Sequence, residues 1–290
     1  MITIENKELK CGFKMPVFGM GTWMMGGNSE RDDGNDGDAD TAALVAGLER
    51  GLSHIDTAEM YAGGFAEEIV GRAIAGRKRA KLFITTKVWN TNLSFDGVLR
   101  AAEGSLKRIE TDYLDLYLIH KPNNDIPLKD TIRALDRLRS EKIIRSIGVS
   151  NFAVKRLDHA QALSDHKIVA NQVHYNLTFR EPEVSGMLDY CSRNDIMLIA
   201  WRPLQKGELP ANSAEFLKPL CEKYHKTLYQ IALNWLISQP GVATISTMRN
   251  PSHLDENLGA VDWEMDKSDI EFIREKFPEQ QSVSDIVPLS

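Results

Sequence analysis

Four side chains, Asp56, Tyr61, Lys87 and His120, are of the types that together could move a proton. A phenol titrates near ~10 in water and is a poor acid at neutral pH. An ammonium beside it favours the phenolate, so Lys87 is expected to lower the pKa of Tyr61 and strengthen it as a donor. A buried lysine tends to lose its own proton, and a carboxylate such as Asp56 would hold it charged. A histidine across a pocket can hydrogen-bond an oxygen and fix its position. Such a set suits protonating an oxygen that turns negative as its carbon is attacked. Taken singly, each has an ordinary explanation: Asp56 a helix cap, Lys87 a surface charge, His120 a core histidine, Tyr61 a core aromatic.

Their place along the chain argues for acting together. Strand-like runs are expected at Val17–Thr22, Ser53–Asp56, Leu82–Lys87, Tyr113–His120, Ile143–Val149, Ile168–Val173, Ile196–Ala200 and Val242–Ser246. Asp56, Lys87 and His120 end the second, third and fourth, and Tyr61 follows shortly after Asp56. Several runs are almost continuously apolar, as in Leu114-Asp115-Leu116-Tyr117-Leu118-Ile119, which marks strands buried on both faces. Between them, apolar residues recur at helical spacing: Ala42, Val45 and Ala46, with Asp38 or Asp40 as cap; Ile132, Leu135 and Leu138; and Leu228, Ile231, Ala232, Trp235 and Leu236. Alternating strand and helix implies a parallel sheet with right-handed crossovers. About eight such units point to a closed (β/α)8 TIM barrel, an α/β fold forming a single domain over 1–290, with an open doubly wound sheet as the rival. Residues 1–14 are expected to form an N-terminal β-hairpin, and residues 277–290 a C-terminal tail.

The chain has 290 residues, a formal charge of −6 and a hydrophobic fraction of 42%, which allow a large core. The absence of a basic block argues against nucleic acid as a partner. No apolar run is long enough to cross a bilayer, and the N-terminus lacks a signal-peptide pattern. Cys11, Cys191 and Cys221 are widely spaced and odd in number, which suggests reduced thiols and a cytoplasmic location. Gly26–Gly37 reads as a mobile polar loop that could serve as a lid; it fails the calcium-loop pattern. Gly19-Met20-Gly21 lacks the third glycine of a dinucleotide fingerprint, and no metal site is expected.

The segment Gly51-Leu52-Ser53-His54-Ile55-Asp56-Thr57-Ala58-Glu59-Met60-Tyr61 resembles the signature of the aldo-keto reductases. Thr85-Thr86-Lys87-Val88-Trp89, Asp115-Leu116-Tyr117-Leu118-Ile119-His120, Gly148-Val149-Ser150-Asn151-Phe152 and Ala170-Asn171-Gln172-Val173-His174-Tyr175-Asn176 follow in the family order. The resemblance runs from about Met15 to Lys276. It implies an NADP(H)-dependent oxidoreductase reducing aldehydes or ketones, with hydride as the attacker and Tyr61 as general acid. Lys87 and Asp56 would tune that acid, and His120 would orient the substrate. It further implies that Ser150, Asn151 and Gln172 hold the nicotinamide carboxamide, and that Gly21, Thr22, Asp56, Arg202 and Leu204 border the cofactor. Some barrels of the family serve as cofactor sensors, so a slow or non-catalytic nicotinamide-binding subunit is the alternative.

Three departures from the family pattern stand out. Trp201 takes the place of a tyrosine that stacks on the nicotinamide, and its larger face should serve as well. In the segment expected at the adenosine end, Thr247 and His253 replace a lysine and an arginine, and Met248 lies between Thr247 and Arg249. Arg249 resembles the basic residue of a second version of the 2′-phosphate motif, and Glu256 and Asn257 match the pair contacting adenine. Finally, His120-Lys121-Pro122 replaces His-Trp-Pro. Trp23, Met24, Trp89 and Asn123 are the expected substrate-pocket residues, and the oligomeric state is left open.

Overall fold

The computed structural model describes residues 3–290. Met1 and Ile2, the start of the expected first strand, lie outside the described residues. The chain opens with an antiparallel hairpin, β1 (Asn6–Glu8) and β2 (Lys14–Pro16), so the hairpin runs slightly past residue 14. Eight strands follow: β3 (Phe18–Gly21), β4 (His54–Asp56), β5 (Phe83–Val88), β6 (Leu116–Ile119), β7 (Ile147–Ser150), β8 (Ile168–His174), β9 (Met197–Trp201) and β10 (Val242–Ser246). All pair in parallel and β10 closes onto β3, which makes a (β/α)8 barrel and removes the open-sheet rival. Each lies within or beside its expected run.

The helices are α1 (Gly37–Arg50), α2 (Phe65–Ile74), α3 (Phe95–Ile109), α4 (Leu128–Ser140), α5 (Val154–Leu163), α6 (Glu181–Val184), α7 (Met187–Arg193), α8 (Ser213–Tyr224), α9 (Leu228–Ile237), α10 (Pro251–Leu258) and α11 (Lys267–Lys276). None among the described residues is long and apolar enough to cross a membrane. The cap of α1 is Asp36, whose carboxylate accepts from the backbone N–H groups of Asp38 and Ala39. The expected caps Asp38 and Asp40 lie inside the first turn, and Asp40 is buried. The start of α9 carries a capping box between Thr227 and Gln230, so its apolar residues enter the core without orphaned donors.

Strand periodicity sorts the core into two layers. Leu116 and Leu118 of β6 join Met197, Ile199, Ala243 and Ile245 in a cluster filling the barrel. Tyr117 and Ile119, one residue out of phase, pack with the helices in the larger outer cluster. Phe13 and Met15 of the hairpin close the barrel bottom as part of the inner cluster. The hairpin is latched there by Lys7, whose ammonium donates to the carbonyls of Ile237, Gln239 and Val242 at 2.5, 2.6 and 2.7 Å. Ile237 and Gln239 lie at and just past the C-terminus of α9, where carbonyls lack intrahelical partners and a cation serves them well.

A buried Glu67 ties α2 to α3 and β5: its carboxylate accepts from Arg108 Nε at 2.7 Å and from the Thr86 hydroxyl at 2.5 Å. The Gly26–Gly37 loop is anchored to the segment after β4. Asn28 O accepts from Ala62 N at 2.7 Å, Ser29 O accepts from Gly63 N at 2.9 Å, and the Arg31 guanidinium lies 4.0 Å over the Phe65 ring.

Two histidines are packed as neutral rings. His54 sits against Gly19, where any Cβ would overlap the imidazole, and bonds Thr85 Oγ1 at 3.0 Å. Burial first, then Lys87, push its pKa down to about 3. Burial likewise pushes His174, at the end of β8, down to about 4. Both folded values lie below the ordinary value of about 6.5, so the unfolded chain binds protons that the folded chain refuses. The stability these two rings contribute is therefore fully present above about pH 6.5 and is lost as pH falls toward about 4 for His174 and about 3 for His54. Thermal melts are expected to show a lower Tm at pH 5 than at pH 7; an equal or higher Tm in acid would contradict this packing.

Candidate active site

The C-terminal ends of the barrel strands open into a cleft of about 570 Å³. Parallel strands of a barrel all point their C-termini at this face, so residues far apart in sequence meet there. Asp56 is the last residue of β4 and pairs with Gly21 of β3, while Lys87 stands beside Leu118 in the next strand pair. His120 follows β6, fixed by its N–H to Val88 O at 3.0 Å. Tyr61 opens a short 3-10 turn to Gly64, in which Ala62, Gly63 and Gly64 are all left-handed.

All four expected catalytic residues converge. Lys87 Nζ donates to Asp56 Oδ1 at 2.5 Å and to Thr57 O at 2.8 Å, and lies 3.3 Å from the Tyr61 hydroxyl. The Tyr61 and His120 rings meet edge-on with centroids 5.5 Å apart. Lys87 and Asp56 are fully buried and Tyr61 nearly so. Burial opposes charge on Lys87, but Asp56 and Tyr61 hold its pKa above the ordinary value. Burial pushes Asp56 up, against the pull of Lys87 and Gln172. For Tyr61 the structure corrects the expectation: burial raises the pKa, and the opposing Lys87 does not overcome it. The phenol is therefore protonated at neutral pH. His120 is held neutral, first by burial and then by the charges of Lys87 and Lys121.

The residues expected at the nicotinamide form one hydrogen-bonded wall. Gln172 Nε2 donates to Asp56 Oδ2 at 2.7 Å, a link between this wall and the Asp56–Lys87–Tyr61 cluster that the sequence did not suggest. Ser150 Oγ donates to Gln172 O at 2.8 Å. Asn151 takes a left-handed backbone conformation (φ 62°), which asparagine tolerates better than most residues. Its amide donates to Ser150 Oγ at 2.9 Å and to His120 O at 3.2 Å, while its Oδ1 accepts from Trp201 Nε1 at 3.1 Å. The indole of Trp201 is thus fixed at its edge and lines the cleft.

Gly21, Thr22, Arg202 and Leu204 border the same cleft, and Thr247, His253, Glu256 and Asn257 form its far end. Met248 does not: it is buried in the outer core. Arg249 also stands outside the lining. Its Nε donates to buried Asp40 at 2.5 Å and its Nη2 to Asn35 at 3.1 Å, so the start of α1 and the preceding loop already share this guanidinium.

At the substrate end Trp23 and Trp89 line the cleft, but Met24 and Asn123 do not. Met24 has a left-handed φ of 74° that turns it outward to 41% exposure. Asn123 instead donates to Asn90 O at 2.8 Å and braces the loop after β6 against the turn after β5. The structure adds Met60, Lys121, Lys206, Tyr229, Ile286 and Val287 to the lining. Ile286 and Val287 come from the tail, which Glu181 holds by accepting from Ser284 N and Leu289 N, both at 3.0 Å. Their apolar character is visible in the sequence; the contact, more than a hundred residues away along the chain, is not.

Comparison with known proteins agrees with this geometry. A family model described as the aldo/keto reductase family matches residues 17–277. The glyoxal reductase of Bacillus subtilis (strain 168) is 38% identical over 93% of this chain and 91% of its own length. The methylglyoxal reductase YeaE of Escherichia coli (strain K12) is 33% identical over 91% and 92%. Among solved structures, the thermostable aldo-keto reductase Tm1743 in complex with the inhibitor epalrestat superposes with a TM-score of 0.90 at 39% identity, covering 94% of this chain and 99% of that one. An aldo-keto reductase from Klebsiella pneumoniae in complex with NADPH gives 0.84 at 32% identity, covering 97% and 98%. Sequence, fold and strand-end cluster agree that this chain belongs to the aldo/keto reductase family.

Proposed function

We propose that the protein is an NADP(H)-dependent oxidoreductase that reduces small aldehydes and ketones, with Tyr61 as the proton donor. The observation that carries this reading is the Tyr61 hydroxyl 3.3 Å from Lys87 Nζ, itself 2.5 Å from Asp56, in the wall of the cleft. The glyoxal and methylglyoxal reductases among its relatives favour small dicarbonyl compounds as substrates.

The cleft fits a nicotinamide dinucleotide. Trp201 offers an indole face, Ser150, Asn151 and Gln172 offer amide and hydroxyl partners beside it, and Glu256 and Asn257 stand at the opposite end. Two of the five N–H groups of Arg249 are taken by Asp40 and Asn35, which leaves three for a 2′-phosphate. The chemistry supplied by a bound nicotinamide is hydride transfer to the carbonyl carbon.

The chain's own residues handle the oxygen. Neutral His120 and the Tyr61 hydroxyl hydrogen-bond the carbonyl oxygen and fix its orientation. As negative charge develops there, Tyr61 gives up its proton. Burial keeps the phenol protonated at rest, and it makes the phenolate depend strongly on the adjacent Lys87 ammonium. Asp56, gripped by Gln172, holds Lys87 charged and aimed at Tyr61. Trp23, Trp89, Ile286 and Val287 give that exchange apolar surroundings.

Tyr61→Phe is expected to lower kcat by about 10²- to 10⁴-fold, with the Kd for NADPH nearly unchanged. Carbonyl reduction by that variant at the wild-type rate would refute the assignment of the donor. Arg249→Ala is expected to weaken NADPH by about tenfold and leave NADH alone, as for loss of a hydrogen bond to a charged group. Fluorescence titrations read both affinities, and equal affinity of the wild type for NADPH and NADH would overturn the role given to Arg249.

A further inference from the structure

His174 does not line the cleft, yet it touches three separate pieces of its wall. It ends β8 beside Trp201 in the strand register and is 2% exposed. Its ring lies between two others: Trp201 at a centroid distance of 4.4 Å and 11° between planes, and Phe179 at 4.5 Å and 26°. Its Nε2 is 3.0 Å from Gln205 Oε1, at the head of a turn whose Lys206 and Gly207 line the cleft. Its Nδ1 is 2.8 Å from Ser284 Oγ, at the head of the tail turn that carries Ile286 and Val287.

The hydrogen-bond inventory fixes the state of this imidazole. Ser284 Oγ accepts the backbone N–H groups of Ile286 and Val287 at 3.2 and 3.1 Å. A hydroxyl has two lone pairs and one proton, so with both pairs engaged its proton is what remains for Nδ1. Nδ1 must then be bare, and the single ring proton sits on Nε2, aimed at the Gln205 carbonyl oxygen; Asn176 Nδ2, 3.2 Å from Nε2, then gives its two protons to Arg202 O at 2.8 Å and Gln205 Oε1 at 3.3 Å. A second ring proton would face the Ser284 hydroxyl with no lone pair to receive it. The charged groups facing the ring are Asp285, 3.6 Å from Nδ1, and Arg202, whose effects oppose one another.

We infer that His174 is a positioning residue: as a neutral Nε2–H tautomer it clamps the Trp201 ring, the Gln205–Gly207 turn and the Ser284–Val287 turn into one wall. It thereby sets the seat of the nicotinamide and the outer limit of the substrate pocket together. The cofactor half of this inference rests on the proposed role of Trp201; the tail half stands on the hydrogen bonds alone. Substrates long enough to reach Ile286 and Val287 depend on the clamp, and small ones do not.

The test uses His174→Phe, which keeps a flat ring but neither nitrogen, and the milder Ser284→Ala, which removes only the tail bond. Both are expected to raise KM for a bulky aromatic aldehyde by about tenfold, with kcat within about twofold and KM for methylglyoxal unchanged. Amide exchange at Ile286 and Val287 should quicken in both variants without any cofactor. A wild type that turns over no carbonyl would sink the proposed function while leaving this exchange result to judge the clamp. Unchanged exchange in a folded His174→Phe protein would overturn the clamp, as would a wild-type KM for the bulky aldehyde in both variants. Nitrogen NMR of the wild type near neutral pH should show the proton on Nε2 of His174; a proton on Nδ1 would overturn the tautomer.

Discussion

The Lys87–Asp56 ion pair is the contact around which the catalytic face is arranged. Both groups are withdrawn from water, and two buried charges are costly unless each is paired and its remaining hydrogen-bonding capacity is met. The barrel meets that demand from several strands. Thr57 O takes a second ammonium proton, and Gln172 from across the barrel donates to the other carboxylate oxygen. Tyr61 has no comparable support and lines the cleft 3.3 Å from the ammonium, so its protonation state responds most to what happens there. The left-handed turn that brings it there is in turn held by the loop carbonyls of Asn28 and Ser29.

From that pair a continuous chain of hydrogen bonds runs outward. Gln172 meets Ser150 through its backbone, Ser150 meets Asn151, and Asn151 meets both His120 and Trp201. Tyr61, the His120 backbone and the Trp201 indole therefore belong to one network. A change in any member shifts groups on both sides of the cleft, which is how distant strand ends act as one site.

Much of this was legible in the sequence. Parallel barrel strands are buried on both faces, so runs such as Ile196–Ala200 identify themselves, and the polar residues that end them mark the catalytic face. Local signals failed where a competing contact won. The sequence offered Asp38 or Asp40 as the cap of α1, but Asp36 serves, and Asp40 is taken by Gly26 N and Arg249. Met24 and Asn123 sit at suitable positions, yet a left-handed backbone and a loop brace turn them elsewhere. The pKa of Tyr61 went the other way because the sequence reveals its partner but not the depth of its burial. The tail was opaque for a different reason. Its anchors, Glu181 and His174, lie about a hundred residues away, and no periodicity encodes that pairing.

A double-mutant cycle on hydride transfer in single turnover measures directly whether Tyr61 and Lys87 act as one unit. Tyr61→Phe removes the proton, and Lys87→Met removes the charge that stabilises the phenolate left behind. If the two form a unit, the double variant is no slower than the slower single variant, because each change has already removed what the other contributes. Rate losses that multiply would mean that the two groups act independently, and would contradict the account.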